Sequence, residues 1–161
     1  MRQGDRDRLA SVAGGNGWNA DPSLWAGYLA EQEAGRRLAI IAWAGERPVG
    51  YGGLVWSPAY EPFRSAGTPE INNLGVDVKV RRQGVASALI GHFEDLARER
   101  GKAMIGLGVG LYADYGPAQR LYCRLGYRPD GNGVTSANRP VAPMETVRLD
   151  DNLVLWLTKA L

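Results

Sequence analysis

Hydrophobic residues recur along this chain first at helical spacing, then in short runs, then in alternation. Asp21-Pro22 followed by Leu24, Trp25, Tyr28 and Leu29 predicts a capped amphipathic helix with proline at its first position and Gly35 as its stop. Residues 38–43 are continuously apolar and read as a buried strand. A turn at 45–48 and a second strand at 49–56 complete an antiparallel hairpin. Residues 57–69, punctuated by proline and glycine, read as a loop carrying Tyr60, Phe63 and Arg64.

From Ile71 the alternation of Leu74, Val76, Val78 and Val80 predicts a strand that runs into Arg81-Arg82-Gln83-Gly84-Val85-Ala86. Val85, Leu89, Phe93, Leu96 and Ala97 then repeat at helical spacing until Gly101, with Arg98 and Arg100 at the negative end of the dipole. Residues 104–109 form a glycine-interrupted apolar strand, and Pro117, Ala118, Leu121, Tyr122 and Leu125 a short helix stopped by Gly126. A turn at 130–133, an irregular stretch at 134–151 and a last strand at 153–158 finish the chain. With no repeat, linker or low-complexity tract, residues 1–161 read as one mixed α/β domain.

Composition narrows the class. A chain of 161 residues, 45% hydrophobic and 22% charged, is long enough for a real core. A net charge of +2, from 19 basic and 17 acidic side chains, argues against nucleic-acid and membrane-surface partners. Cys123 is the single cysteine, so an intrachain disulfide is excluded. The polar, charged residues 1–10 do not resemble a secretory signal, and no apolar run spans a bilayer; the expectation is a cytoplasmic protein.

Residues 76–101 carry the strongest chemical signal. A strand, a glycine-containing turn and a helix leave several backbone N–H groups without acceptors at the positive end of the helix dipole. Gly84 lets a ligand approach the backbone, Ala86 is nearly as small, and Arg81 and Arg82 add charge, so an anion such as a pyrophosphate suits the place. The alternative on physics alone is a tight strand-to-helix connection with solvated arginines.

Arg81-Arg82-Gln83-Gly84-Val85-Ala86 resembles the Arg/Gln-x-x-Gly-x-Gly/Ala signature of the GNAT superfamily of N-acetyltransferases, and it sits between strand and helix as there. Ala118, Leu121-Tyr122, Leu125 and Gly126-Tyr127 are similar to that superfamily's later motif. The resemblance covers residues 38 to about 128. It implies a GNAT-like fold: a mixed, mostly antiparallel sheet with a central splayed parallel strand pair, flanked by helices. It also implies acetyl-CoA as co-substrate, its pyrophosphate on the N–H groups of Gln83 to Ala86, with backbone groups of Val76 and Val78 along the pantetheine arm. Gly108-Val109-Gly110-Leu111-Tyr112-Ala113 matches a miniature dinucleotide fingerprint, but the short helix from Pro117 and residues 126–129 do not supply the buried parallel strand that it requires.

Acetyl transfer needs a deprotonated amine, a stabilised oxyanion and a protonated leaving thiolate. Tyr122 matches the family's acid; a phenol of pKa about 10 stays protonated at neutral pH. The other reading of Tyr122 is a core tyrosine spaced with Ala118 and Leu125. Family members often carry a carboxylate on the cofactor strand, where this chain has Asn72 and Asn73. The remaining options are Asn73 holding a proton-carrying water, Glu70 reaching in from the strand's start, or Asp114; Glu70 also reads as an exposed loop-edge acid. Tyr115 stands where the family often has asparagine, which puts one pantetheine contact in doubt. His92 and Cys123 lack partners for catalysis, and no grouping has metal-ligand spacing.

Trp18, Trp25 and Tyr28, and the loop with Tyr60, Phe63 and Arg64, are candidate linings for a small-molecule or peptide amine, although aromatics at helical spacing are more often core. Glu61 and Glu70 could attract a cationic amine. At most residues 1–3 could supply the family's first strand, and an edge left open there would favour a homodimer. The expected activity is acetyl transfer to a primary amine by direct attack. The rival is a non-catalytic acyl-CoA-binding or sensor module.

Overall fold

The computed structural model of the chain describes residues 1–18 and 21–161. Helices α1 (Asp5–Asn16) and α2 (Pro22–Glu33) precede the hairpin of β1 (Arg37–Ala44) and β2 (Arg47–Val55). There follow α3 (Glu61–Ala66), β3 (Glu70–Val76), α4 (Val85–Glu99), β4 (Met104–Gly110) and α5 (Gly116–Arg124). The chain closes with β5 (Arg128–Ser136), β6 (Arg139–Pro140) and β7 (Leu153–Ala160). Strand order is β1-β2-β3-β4-β7-β5-β6, with β3 and β4 a parallel pair, while β1–β2, β4–β7, β7–β5 and β5–β6 pair antiparallel. This is the mixed α/β class expected from the pattern. Backbone contacts group the chain into two compact units, Met1–Trp56 with Ile71–Leu96, and Ser57–Glu70 with Ala97–Leu161.

In the first unit, β2 separates two packing layers because successive residues of a strand face opposite ways. On one side Gly50 and Gly52 form a bare track for α4. A Cβ on either would stand 2.9 Å from the side chain of Val85 or Phe93 respectively, so the helix rests on the strand backbone itself. Phe93 is fully buried there, worth roughly 2–3 kcal/mol of apolar burial. On the other side Tyr51 meets Trp18 and Trp25 edge-on, with ring centroids 5.0 and 4.8 Å away. Leu9, Ala13 and Ala39 complete that core. At the β1 edge, Ala39 N donates to Gln32 Oε1 (3.1 Å) and Ala39 O accepts from Met1 N (2.6 Å), which satisfies two polar groups of an outer strand.

The second unit is organised by Tyr60, Phe63 and Trp156. Gly106 admits the Phe63 ring against β4, Tyr60 stacks on Trp156 at 4.2 Å, and Trp156 Nε1 donates to Thr135 Oγ1 at 2.8 Å. The Tyr60 hydroxyl donates to Asp130 at 2.7 Å.

Residues 5–16 are helical, with Leu9 and Ala13 fully buried and Ala10 and Val12 packed against the same core, and residues 1–3 form no strand. Three features depart from the sequence expectations. Residues 57–69 contain α3, which starts with Pro62 in its first turn. β3 stops at Val76 rather than Val80, because the Asp77 carboxylate accepts from Lys79 N (2.9 Å) and residues 78–80 curl into a 3-10 turn. The stretch after α5 is a strand, β5, whose register shifts between Pro129 and Val134 and which bulges at 130–133 through Gly131 and Gly133 at φ +90° and +76°. Among the described residues no helix is long and apolar enough to cross a membrane.

Candidate active site

The joint between β3 and α4 is fixed from several sides. Asp77 is fully buried; its carboxylate pairs with the Arg47 guanidinium and caps Lys79 N, while its own N–H donates to Val49 O at 3.0 Å. Arg47 also donates to Asn16 Oδ1 (3.3 Å), which ties the end of α1 to the same point. Beyond it, Arg82 at φ +65° and Gly84 at φ +88° turn the chain through left-handed conformations, and Ala88 N donates to Gly84 O (2.9 Å) to open the helix.

Among the described residues, the N–H groups of Gln83, Gly84, Val85 and Ala86 meet no protein acceptor. Nothing lies within 4 Å of where a Gly84 Cβ would stand, and Arg81 and Arg82 flank the turn, exposed. Free amides, the positive end of a 15-residue helix and two guanidiniums make a place for a polyanion. A CoA pyrophosphate fits this donor set. Val76 ends β3 next to it; Val78 lies half-exposed in the 3-10 turn, so its backbone does not continue the strand as the valine alternation implied.

Upstream, Asn73 within β3 has a left-handed φ of +52°, a conformation asparagine tolerates better than most residues. Its Nδ2 donates to the Tyr28 hydroxyl oxygen. Asn72 Oδ1 accepts from Arg37 Nη1 at 3.1 Å; Arg37 is buried, bonds Glu31, and lies over the Tyr28 ring at 4.5 Å. Both amides where a base was expected are thus engaged with neighbours. Burial pushes the Tyr28 phenol up, against the opposing pull of the Asn73 hydrogen bond and Arg37, so it is neutral at pH 7.

The second unit carries the other two catalytic candidates. Glu70 opens β3 and is 7% exposed, so it is not the exposed loop-edge acid of the alternative reading. Tyr122 on α5 is 8% exposed, and burial alone pushes its phenol to about 12. Its hydroxyl has no hydrogen-bond partner among the described residues, and the Tyr127 ring lies 6.2 Å away. The Tyr115 ring packs against Gly110, where a Cβ would come within 2.4 Å, and its hydroxyl donates to Asp151 (3.0 Å), which also accepts from Tyr112. Gln119 Nε2 donates to Gly110 O (2.8 Å) and so occupies the end of β4 with an amide.

The structure therefore gathers Asn73, Val76, Val78 and residues 81–86 along one continuous segment of the first unit, with Glu70 and Tyr122 in the second. Asp114, His92 and Cys123 are exposed, and no group of three metal-ligating side chains occurs among the described residues. Trp18, Trp25, Tyr28, Tyr60 and Phe63 are buried in the two cores, while Arg64 bonds the carbonyls of Pro58 and Ala59. The sequence reading passed over Arg37 and Asp77. The only hint of Asp77 was a carboxylate breaking a run of valines two residues before a backbone N–H that it could cap.

A family model described as Acetyltransferase (GNAT) family matches residues 14–127. No curated protein sequence matches the chain. Among solved structures, a Desulfovibrio desulfuricans protein assigned to the GNAT family has a TM-score of 0.73 at 19% identity, over 99% of this chain and 94% of its own. A ribosomal-protein-alanine N-acetyltransferase from Brucella melitensis gives 0.69 at 18% identity, over 100% and 97%. The PaiA N-acetyltransferase of Thermoplasma acidophilum, in complex with coenzyme A, gives 0.69 at 11%, over 100% and 96%.

Proposed function

Because the chain belongs to the GNAT family of acetyltransferases, we propose that it moves acetyl from acetyl-CoA to a primary amine of a small molecule or peptide by direct attack. The observation that carries the reading is the turn at 83–86, four consecutive amides without protein acceptors at the head of α4. In this reading those N–H groups, with Arg81 and Arg82, hold the pyrophosphate, and Val76 runs along the pantetheine arm. The complex of the Thermoplasma neighbour with coenzyme A supports the choice of donor.

The amine nitrogen attacks the thioester carbonyl, the C–S bond breaks, and the departing thiolate takes the Tyr122 proton, which solvent restores. A phenol raised to about 12 is almost wholly protonated at pH 7, as an acid must be. The proton leaving the amine has two proposed routes, a water held by Asn73 or the Glu70 carboxylate. The test is release of free CoA thiol from acetyl-CoA against a panel of primary amines. Thiol release with none of them would refute it.

A second reading, a non-catalytic acyl-CoA-binding or sensor module, is favoured by Asn72 and Asn73, neither of which can accept a proton. CoA binding without turnover on the whole panel would support it. The proposed setting is the cytoplasm, which suits a lone exposed cysteine. The proposed assembly is a homodimer formed at β1, first in the strand order, through edge groups other than those of Ala39, which Met1 and Gln32 already engage. A monomer mass by light scattering at micromolar concentration would exclude it.

A further inference from the structure

Tyr28 shares its core with hydrogen-bond donors that have no acceptors. The residue is 6% exposed, its ring lies under the Arg37 guanidinium and edge-on to Trp25 at 5.8 Å. Its oxygen already accepts from Asn73 Nδ2, whereas its own proton meets no acceptor among the described residues. The indole N–H groups of Trp18 and Trp25 in the same core are buried and also without partners. The nearby carboxylate, Glu31, is taken by Arg37. A cluster so rich in donors, with a guanidinium over the phenol, disfavours an ammonium and favours an oxygen.

Asn73 stands within β3 with a left-handed backbone, and its amide, by donating to the Tyr28 oxygen, leaves the phenol proton as that hydroxyl's remaining hydrogen-bonding capacity toward a ligand. Asn73 precedes Val76 by three residues, about 10 Å along a strand, so this hydroxyl belongs to the stretch that leads into the cofactor turn.

We propose that the Tyr28 hydroxyl is a specificity-determining donor that grips an oxygen of the amine substrate. The substrate class is then an amine with a hydrogen-bond-accepting oxygen within a few bonds of its nitrogen, as in an amino-acid amide or an amino sugar. This rests on the acetyltransferase reading above. A site built to bond an oxygen rejects the analogue that lacks it more strongly than an apolar pocket rejects a missing methyl.

The test compares alaninamide with 3-methyl-2-butylamine, and glucosamine with cyclohexylamine, by the ratio of kcat/KM within each pair. The wild-type protein should prefer the oxygen-bearing member of at least one pair by about tenfold or more, and that pair names the source of the oxygen. Tyr28→Phe keeps the ring and should bring the ratio near unity. Asn73→Asp should do the same with the phenol intact, because a carboxylate at position 73 draws the Tyr28 proton to itself. Ratios equal in wild type and Tyr28→Phe overturn the proposal.

Should no amine turn over, the acetyltransferase reading fails and this one is still decided. Tryptophan fluorescence of the CoA-loaded protein is titrated with alaninamide and with glucosamine. A saturable change in wild type that Tyr28→Phe abolishes supports the oxygen site. Curves that coincide in the two proteins, saturable or flat, overturn it.

Discussion

Replacing Asp77 by alanine removes two attachments from the joint between β3 and the phosphate turn. Lys79 N loses its side-chain cap, a loss of about 1 kcal/mol by analogy with helix N-caps. Arg47 loses a charge-assisted hydrogen bond worth about 1.5–3 kcal/mol, and the lower end applies because its side chain is 45% exposed and water screens the pair. The expected total is about 2.5 kcal/mol. Asp77→Asn keeps the size and the cap and gives up only the charge, so about 1 kcal/mol is expected. Urea unfolding at pH 7, followed by tryptophan fluorescence, reads both values. Calorimetric titration with CoA on the same proteins should show about tenfold weaker binding for alanine, whose residues 78–80 are uncapped, and less than twofold for asparagine. An alanine variant destabilised by less than about 1 kcal/mol, or an asparagine variant as damaged as alanine, would refute this apportioning of cap and charge.

At Gly84 the φ of +88° makes alanine strained by about 1 kcal/mol, and its methyl would occupy the space left for a phosphate; CoA should bind about tenfold more weakly, and an unchanged Kd counts against the anion site. Tyr122→Phe should lower turnover at least about tenfold with CoA affinity nearly intact, and full turnover would remove Tyr122 from the mechanism. Burial holds the folded Tyr122 and Tyr51 phenols at about 12, Tyr51 with help from nearby Tyr28, against about 10 when unfolded. Between pH 10 and 12 the unfolded chain therefore binds fewer protons than the folded one, so stability is complete below pH 10 and declines toward 12. Urea midpoints that stay level across that window would contradict this, and Tyr122→Phe should decline less steeply. Glu70→Gln should displace the acidic limb of the pH–rate profile; retention of the wild-type profile assigns the proton to another route.

What the sequence revealed and what it hid follows from range. The hairpin at β1 and β2 was readable because continuous apolar runs and a glycine turn are local signals, and so was α4, whose stripe of Val85, Leu89 and Phe93 is the imprint of the glycine track it covers. The end of β3 was not, because valines at 76, 78 and 80 alternate as a strand would, and only the capping of Lys79 by Asp77 turns them away. The strand character of β5 was hidden by Asp130-Gly131-Asn132-Gly133, which reads as a turn but bulges out of a ladder that resumes at Val134. In the candidate site, the amide turn was legible from its glycine and arginines. The engagement of Asn73 by Tyr28, 45 residues away in sequence, is a tertiary contact with no signature in either segment.

The glycine track of β2 also divides the chain's 22 glycines into those open to engineering and those closed to it. At Gly50 and Gly52 even a methyl group collides with α4, and the helix that presents the phosphate amides would be lifted from its seat. Gly14, Gly15, Gly27 and Gly91 lie within helices with nothing inside 4 Å of a new Cβ, so alanine at each should raise the unfolding free energy by roughly 0.5–1 kcal/mol. A thermostabilising library for this protein would concentrate on those four helical positions and leave β2 as it stands.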